Sequence, residues 1–386
     1  MRPVRPTLLV ATGLAALLLT GCTGSGSHPD DEEPATAAVV AMTKPTREVD
    51  GWPTATPAEM GFRPQRVHGL AREAKQLGST CYAVVRKGRL VGNWNWGTAR
   101  ATPREVFSVT KSITSALVGI AIRDGDLRLG DRVARYVPSW RGTDSGTVTV
   151  RNLLSNDSGR FWSSQSDYLT MSQAPNRTQY AIGLSQQHPP GTTWAYNNAA
   201  IQVLDRVIST ATGMRTADFA AKRLFGPLGM THSQMTADVS GRSTNTYYGL
   251  KTTCLDLARF ARLYLDRGKV GGKRILPASY VHASVGRSST DLNAAYGYLW
   301  WLNRYGALRG ATDQIDAAGQ PVTPHEGRLV PGAPASLFSA IGLGGQIAMV
   351  DRTSRTIVVR IGPAQAAPEG AYTLRHAARA VTWAMR

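Results

Sequence analysis

Past residue 60 the apolar positions follow two different periods. Residues 64–77 carry them at helical spacing, which predicts an amphipathic helix. Residues 82–85 and 89–94 are apolar-rich and separated by Lys87-Gly88, which predicts a β-hairpin. From Ser108 a longer helix begins, with Ile113, Ala116, Leu117, Ile120 and Ala121 on one face and Gly125 at its end. The middle of the chain is loop-rich and helical, with helices over 197–212, 217–224 and 256–265. Gly213 closes the first of these and Gly268 the last. Two short β-rich runs, 346–350 and 356–361, are joined by a turn at 351–354 and followed by a final helix over 372–385. Residues 306–336, rich in Gly, Pro and polar groups, predict a long surface loop. Strands at both ends with helices between them predict an α+β fold. One antiparallel sheet is built from both ends of the chain with flanking helices, and a mainly helical lobe, about residues 112–290, is inserted into it.

The amino terminus changes the picture. Arg2 and Arg5 precede an apolar stretch over residues 8–19, too short to span a bilayer comfortably. It ends in Leu19-Thr20-Gly21-Cys22, which resembles the bacterial lipoprotein signal, cleaved before the cysteine, whose thiol then takes lipid. The expected organisation is a signal peptide over 1–21, a flexible tether over 22–50, and a folded domain over 51–386. The expected location is extracytoplasmic, anchored to the cell membrane through lipid on Cys22. The alternative is a plain secretory signal with a chance cysteine. The tether contains Gly24-Ser25-Gly26-Ser27 and Asp30-Asp31-Glu32-Glu33-Pro34, which cannot bury a core. Cys81 and Cys254 then remain, either as a disulfide or as two buried thiols.

With 42% apolar residues among 386, the chain has material for a sizeable core. Its formal net charge is +18, and of 44 basic residues eight are lysine, leaving 36 arginines. They are scattered and form no run, so a nucleic-acid partner is not expected. The excess reads as a solvated surface, with attraction toward an anionic wall or membrane as the other reading.

Several common sites are missing: there is no Gly-x-Ser-x-Gly, Walker loop, Gly-x-Gly-x-x-Gly or His-Glu-x-x-His. No metal and no cofactor are expected. One nucleophile pattern stands out. Ser108 and Lys111 lie three apart at the start of the long apolar helix, on one face of a single turn. Unpaired N–H groups at a helix start favour a developing anion, and a lysine crowded from water can lose its proton and take the serine's. Tyr196 and Asn198, in the chain's one Tyr-x-Asn, follow the rigid loop Pro189-Pro190-Gly191-Thr192-Thr193-Trp194. A phenol near a cationic lysine can pass a proton to a leaving group, and the amide can hold a substrate or orient Lys111. The plainer alternative is a Tyr196 hydroxyl that caps the next helix. A third element, residues 339–346, is a Gly-containing strand entry able to bring a backbone N–H toward a substrate.

Ser-x-x-Lys, then Tyr-x-Asn, then a Gly-containing strand before a last helix resembles the serine β-lactamase and penicillin-binding-protein superfamily. The tyrosine version points to its class C-like branch, with esterases, D-aminopeptidase-like enzymes and 6-aminohexanoate-dimer hydrolases. Thr149-Val150-Arg151-Asn152-Leu153-Leu154-Ser155, Leu224-Phe225-Gly226-Pro227-Leu228-Gly229-Met230, Asp256-Leu257-Ala258-Arg259-Phe260 and Tyr296-Gly297-Tyr298-Leu299-Trp300-Trp301 look like that branch too. The resemblance covers about residues 51–386. It implies Ser108 as acylated nucleophile, Lys111 and Tyr196 as proton-transfer groups, and Asn198 as a substrate-side amide.

The third motif departs from the pattern. Penicillin-recognising relatives place Lys-Thr-Gly or His-Thr-Gly where this chain has Ala340-Ile341-Gly342, with the Leu343 N–H in the oxyanion position. No cation or hydroxyl is offered to a β-lactam carboxylate. Ser243-Thr244-Asn245 is a rival second motif, and His325-Glu326-Gly327 a distant match to the third. Trp94, Trp96, Trp194, Trp300 and Trp301 are candidates for an apolar pocket, with core packing the plainer reading. The expected function is a surface-anchored serine hydrolase that cleaves a small-molecule ester, amide or peptide through a Ser108 acyl-enzyme. The alternative is a slowly acylated or non-catalytic binder or sensor of cell-wall peptides or β-lactams.

Overall fold

The computed structural model describes residues 47–312 and 322–385. The expected signal peptide, Cys22 and residues 22–46 of the expected tether lie outside the described residues. Glu48–Val49 pairs antiparallel with Trp52–Pro53.

Helix α1, Pro64–Gln76, opens with proline at its first position, where the missing N–H costs nothing. The predicted hairpin follows as β1, Cys81–Arg86, and β2, Arg89–Asn95. Helix α2, Val109–Asp124, ends at Gly125 with φ 86°, a left-handed position suited to glycine. Helix α3, Asn198–Thr212, ends the same way at Gly213. Helix α4, Cys254–Leu265, is capped by Thr253, whose side chain accepts the Asp256 N–H, and stops at Asp266, before Gly268. The stretch predicted as one helix over 217–224 is an α-turn over Thr216–Ala220 that widens into a π-type turn over Ala221–Phe225.

Strand β3, Trp301–Leu302, precedes β4, Leu337–Gly342, β5, Gln346–Asp351, and β6, Thr356–Ile361. Helix α5, Leu374–Thr382, is shorter than the 372–385 expected, since Thr373 sits at its cap and donates its N–H to His376 Nδ1. The six strands form one sheet in the order β3-β4-β5-β6-β1-β2, antiparallel throughout. Its middle joins the two ends of the chain, with Val359 opposite Ala83 and Ile357 opposite Val85. The protein is therefore α+β, a mixed fold around an antiparallel sheet.

Alternation along the strands sends side chains to two cores. Tyr82, Val84, Met349 and Val358 pack under α1 and α5. Ala83, Val85, Ala348, Val359 and Ala340 face the helical lobe with α2 and α4. Cys81 on β1 is joined by a disulfide to Cys254 at the start of α4, which ties the sheet to the lobe across 173 residues of sequence.

The predicted loop over 306–336 departs in part from expectation. Gly306–Leu308 pairs with His325–Gly327 as a two-stranded ribbon. Gly306 faces Gly327, and the two remaining pairs, Ala307 with Glu326 and Leu308 with His325, are too short a run for side-chain alternation to be read.

Candidate active site

Helix α2 starts at a backbone position under strain. Phe107 holds φ 47°, a left-handed conformation that costs a bulky residue about 1–3 kcal/mol. Its carbonyl accepts the Thr110 side-chain hydroxyl at 2.6 Å, which fixes the turn. Ser108 follows as the residue before the first helical turn, and no side chain caps that helix start.

Lys111 lies one turn on and is 1% exposed. Its Nζ donates to Ser108 Oγ at 2.7 Å and to the Tyr247 carbonyl at 2.9 Å. Burial pushes its pKa down to about 7, with the Asp167 carboxylate pulling the other way. A large share of Lys111 is therefore neutral near pH 7, at hydrogen-bonding distance from a hydroxyl whose proton it can take.

Tyr196 sits over this pair, with Lys111 Nζ 4.7 Å from its ring centroid. Trp301 stacks on it at 5.5 Å and Tyr296 meets it edge-on at 6.0 Å. Burial pushes the phenol well above its usual range, against a hydrogen bond with Ser108 that pulls it down. The phenol thus keeps its proton at neutral pH. It does not cap α3: Asn197 does, with its Oδ1 accepting the Ala200 N–H at 2.7 Å. Asn198, the first residue of α3, is buried, and its Oδ1 has no partner among the described residues.

The third motif reaches the same place from the sheet. Gly342 ends β4 opposite Gln346. A Cβ at Gly342 would lie 2.2 Å from the Val106 carbonyl and 3.2 Å from the Ser108 nitrogen, so only glycine lets the strand run this close. Leu343 follows, largely exposed. Neither the Ser108 nor the Leu343 N–H donates to another described residue. Ala340 is buried on the lobe side of the strand. Arg360 is nearby in the sheet, but its guanidinium is held by Ser79 Oγ and the Leu77 and Gly344 carbonyls.

The rival motif is engaged elsewhere. Asn245 accepts from Arg177 and donates to Thr236 and Ala237, and Ser243 donates to Asn176. His325-Glu326-Gly327 lies in the separate ribbon. The tryptophans divide. Trp194 and Trp301 pack with Tyr296 around Tyr196. Trp300 is core between Phe260, Tyr264 and Phe338. Trp94 on β2 and Trp96 just past its end pack on the opposite face of the sheet, because a bulge at Val91 shifts the alternation after Leu90 and turns Trp94 away from the lobe.

Two participants carried no readable signal. Tyr247 contributes a backbone carbonyl, which any residue could supply. Asp167 lies in a π-type turn, Gln165–Thr170, outside any motif.

The family model described as Beta-lactamase matches residues 65–380. The chain belongs to the β-lactamase family. Its Ser-x-x-Lys, Tyr-x-Asn and glycine strand end thus sit in the setting of a family of serine hydrolases. A D-aminopeptidase from Cereibacter sphaeroides is 29% identical over 177 residues, 40% of this chain and 32% of that protein. Penicillin-binding protein 4 from Amycolatopsis lactamdurans is 30% identical over 204 residues, 45% of this chain and 53% of that one. The chain thus spans about a third to a half of the length of these curated relatives. Among solved structures, a protein assigned as a β-lactamase from Bacteroides dorei aligns with TM-score 0.64 at 20% identity, over 83% of this chain and 97% of its own. One assigned as a 6-aminohexanoate-dimer hydrolase from Bacillus anthracis aligns with TM-score 0.63 at 19% identity, over 86% of both chains. These likenesses show the β-lactamase-like fold.

Proposed function

We propose that this β-lactamase-family protein is a class C-like serine hydrolase that cleaves small esters or linear amides through a Ser108 acyl-enzyme, with little activity on β-lactams. The observation that carries the reading is the buried Lys111 Nζ, 2.7 Å from Ser108 Oγ. Neutral Lys111 takes the Ser108 proton as Oγ bonds to the substrate carbonyl carbon. The carbonyl oxygen becomes an oxyanion between the Ser108 and Leu343 N–H groups. The bond to the leaving group then breaks, and Tyr196, protonated and above Lys111, delivers a proton to it and is reprotonated from Lys111. Water repeats the sequence on the acyl-enzyme, releasing the acid and restoring Ser108. The unpartnered Asn198 Oδ1 accepts an N–H of the substrate when there is one.

Substrate choice rests on the third motif. Ala340 and Ile341 offer no donor to the carboxylate of a β-lactam, and Arg360 is held by its own contacts. Esters and linear amides need no such clamp. The test is a panel of small activated esters, linear dipeptide amides and a chromogenic cephalosporin, with Ser108→Ala as control. The expected result is Ser108-dependent ester turnover with slow or absent cephalosporin hydrolysis. Efficient cephalosporin turnover would overturn the substrate claim, and ester turnover by Ser108→Ala would overturn the mechanism.

We further propose display on the extracytoplasmic face of the cell membrane through lipid on Cys22, supported by the Leu19-Thr20-Gly21-Cys22 sequence. Cys22→Ser should move the protein from the membrane fraction to the medium. Wild-type protein free in the medium with Cys22 unmodified would contradict it.

A further inference from the structure

Among the described residues, Asp167 is the one carboxylate whose charge is felt by Lys111, and it belongs to none of the motifs that define the site. It is 2% exposed. Both of its oxygens are occupied by the start of α3: Oδ2 accepts the Asn198 N–H at 2.9 Å and Oδ1 the Ala199 N–H at 2.8 Å. Asn197 supplies the third bond at the same helix start. The segment that carries Tyr196 and Asn198 is therefore held by a carboxylate from 31 residues upstream.

The surroundings of Asp167 are specific. Trp162 Nε1 donates to the Tyr196 carbonyl at 3.2 Å. The carboxylate's field reaches Lys111, Tyr168, Tyr196 and Tyr247, and the only cation among these is Lys111. The turn that presents Asp167 is π-type, a rare geometry that recurs at functional sites. A surface serine or asparagine would have capped the helix at less cost than a buried carboxylate. Burial pushes Asp167 up to about 6, while the two backbone N–H groups and Lys111 hold it down. Above that pH it is an anion, fixed by its two bonds to the start of α3, whose field reaches the general base.

We infer that Asp167 is a positioning residue of the active site: it fixes the Tyr196–Asn198 turn through two bonds to the α3 backbone and holds a buried negative charge whose field reaches Lys111. The inference rests on the reading of Ser108 and Lys111 as nucleophile and base. A negative charge beside a lysine favours the ammonium, so Asp167 holds the Lys111 pKa higher than burial alone would. The benefit is an amine basic enough to take a hydroxyl proton and then give one back.

The test is the pH dependence of kcat/KM for a small activated ester, in wild type, Asp167→Asn, Asp167→Glu and Ser108→Ala. Wild-type activity should rise through about pH 7, as Lys111 loses its proton. Asp167→Asn removes the charge at nearly the same shape, leaving one acceptor oxygen for the two backbone N–H groups. Its acid limb should move to lower pH by about one unit, with a lower plateau. Asp167→Glu keeps the charge and displaces the carboxylate, so its limb should stay near the wild-type position while its plateau falls. An acid limb that is unmoved or moves upward in Asp167→Asn overturns the inference, whatever the plateau or the melting temperature does. Asp167→Ser, neutral and smaller, serves the same reading of the acid limb should Asp167→Asn not fold. Ester turnover by Ser108→Ala would instead strike the underlying mechanism, so the two failures are separable.

Discussion

Two helix starts meet in this site, and they are finished in opposite ways. At α3, Asn197 and Asp167 take the N–H groups of Asn198, Ala199 and Ala200, so the helix end is closed to any ligand. At α2, no side chain caps the start: the Val109 and Thr110 N–H groups turn back to the Val106 and Phe107 carbonyls, and the Ser108 N–H is left open, donating to no other described residue. A closed start is a scaffold: it positions what precedes it, here Tyr196. An open start keeps its positive end for a charge that appears only during reaction. The strain at Phe107 lies at the open start, where it aims Ser108 rather than stabilising the fold.

That contrast can be broken from either side. The largest effect is expected at the open start. Lys111→Ala removes the base and should lower kcat for a small ester about 10²–10⁴-fold, measured under saturating substrate, with the fold retained. A loss of less than tenfold would mean that another group takes the Ser108 proton. A gain is expected from adding charge beside the same open end. Ala340→Lys supplies the missing cation, and a charge-assisted hydrogen bond of about 1.5–3 kcal/mol corresponds to ~10–150-fold in binding. Cephalosporin acylation should improve by more than ester turnover does, and equal changes in both would show that Ala340 does not govern carboxylate recognition. The smallest effect on activity is expected at the closed start. Asn197→Ala removes the cap bond and the Nδ2 bonds to the Arg160 and Phe161 carbonyls, with little effect on kcat. It should cost about 1–3 kcal/mol of stability, seen as a shift in the urea midpoint. Its pH profile should match the wild type, since Asn197 carries no charge.

The open start was legible in the sequence and the closed one was only half so. Ser108 and Lys111 are three residues apart, and local helical geometry brings them together without help from the rest of the fold. Tyr196 and Asn198 were found by their motif, but the cap assigned as an alternative to Tyr196 belongs to Asn197, which a sequence pattern placing all three polar groups side by side does not resolve. Asp167 bonds to residues 31 and 32 positions away, through backbone groups that leave no trace in side-chain chemistry. At fold level, the apolar runs at both ends announced a shared sheet, since neither hairpin could bury its faces alone. The ribbon formed by Gly306–Leu308 and His325–Gly327 was hidden, because three residues a side, with Ala307 and Leu308 set against Glu326 and His325, are too few for a strand pattern to show. The tryptophans were ambiguous for a similar reason: only the face of each strand separates Trp301, stacked on Tyr196, from Trp94 on the other side of the sheet.

The most direct test of the central claim is covalent. Wild-type protein is treated with a fluorophosphonate over a range of pH, digested, and the labelled peptide located by mass spectrometry. A single adduct on Ser108 is predicted, with a labelling rate that climbs through about pH 7 as the buried Lys111 becomes neutral. Labelling at another residue, or a Ser108 rate indifferent to pH across that range, would contradict the account.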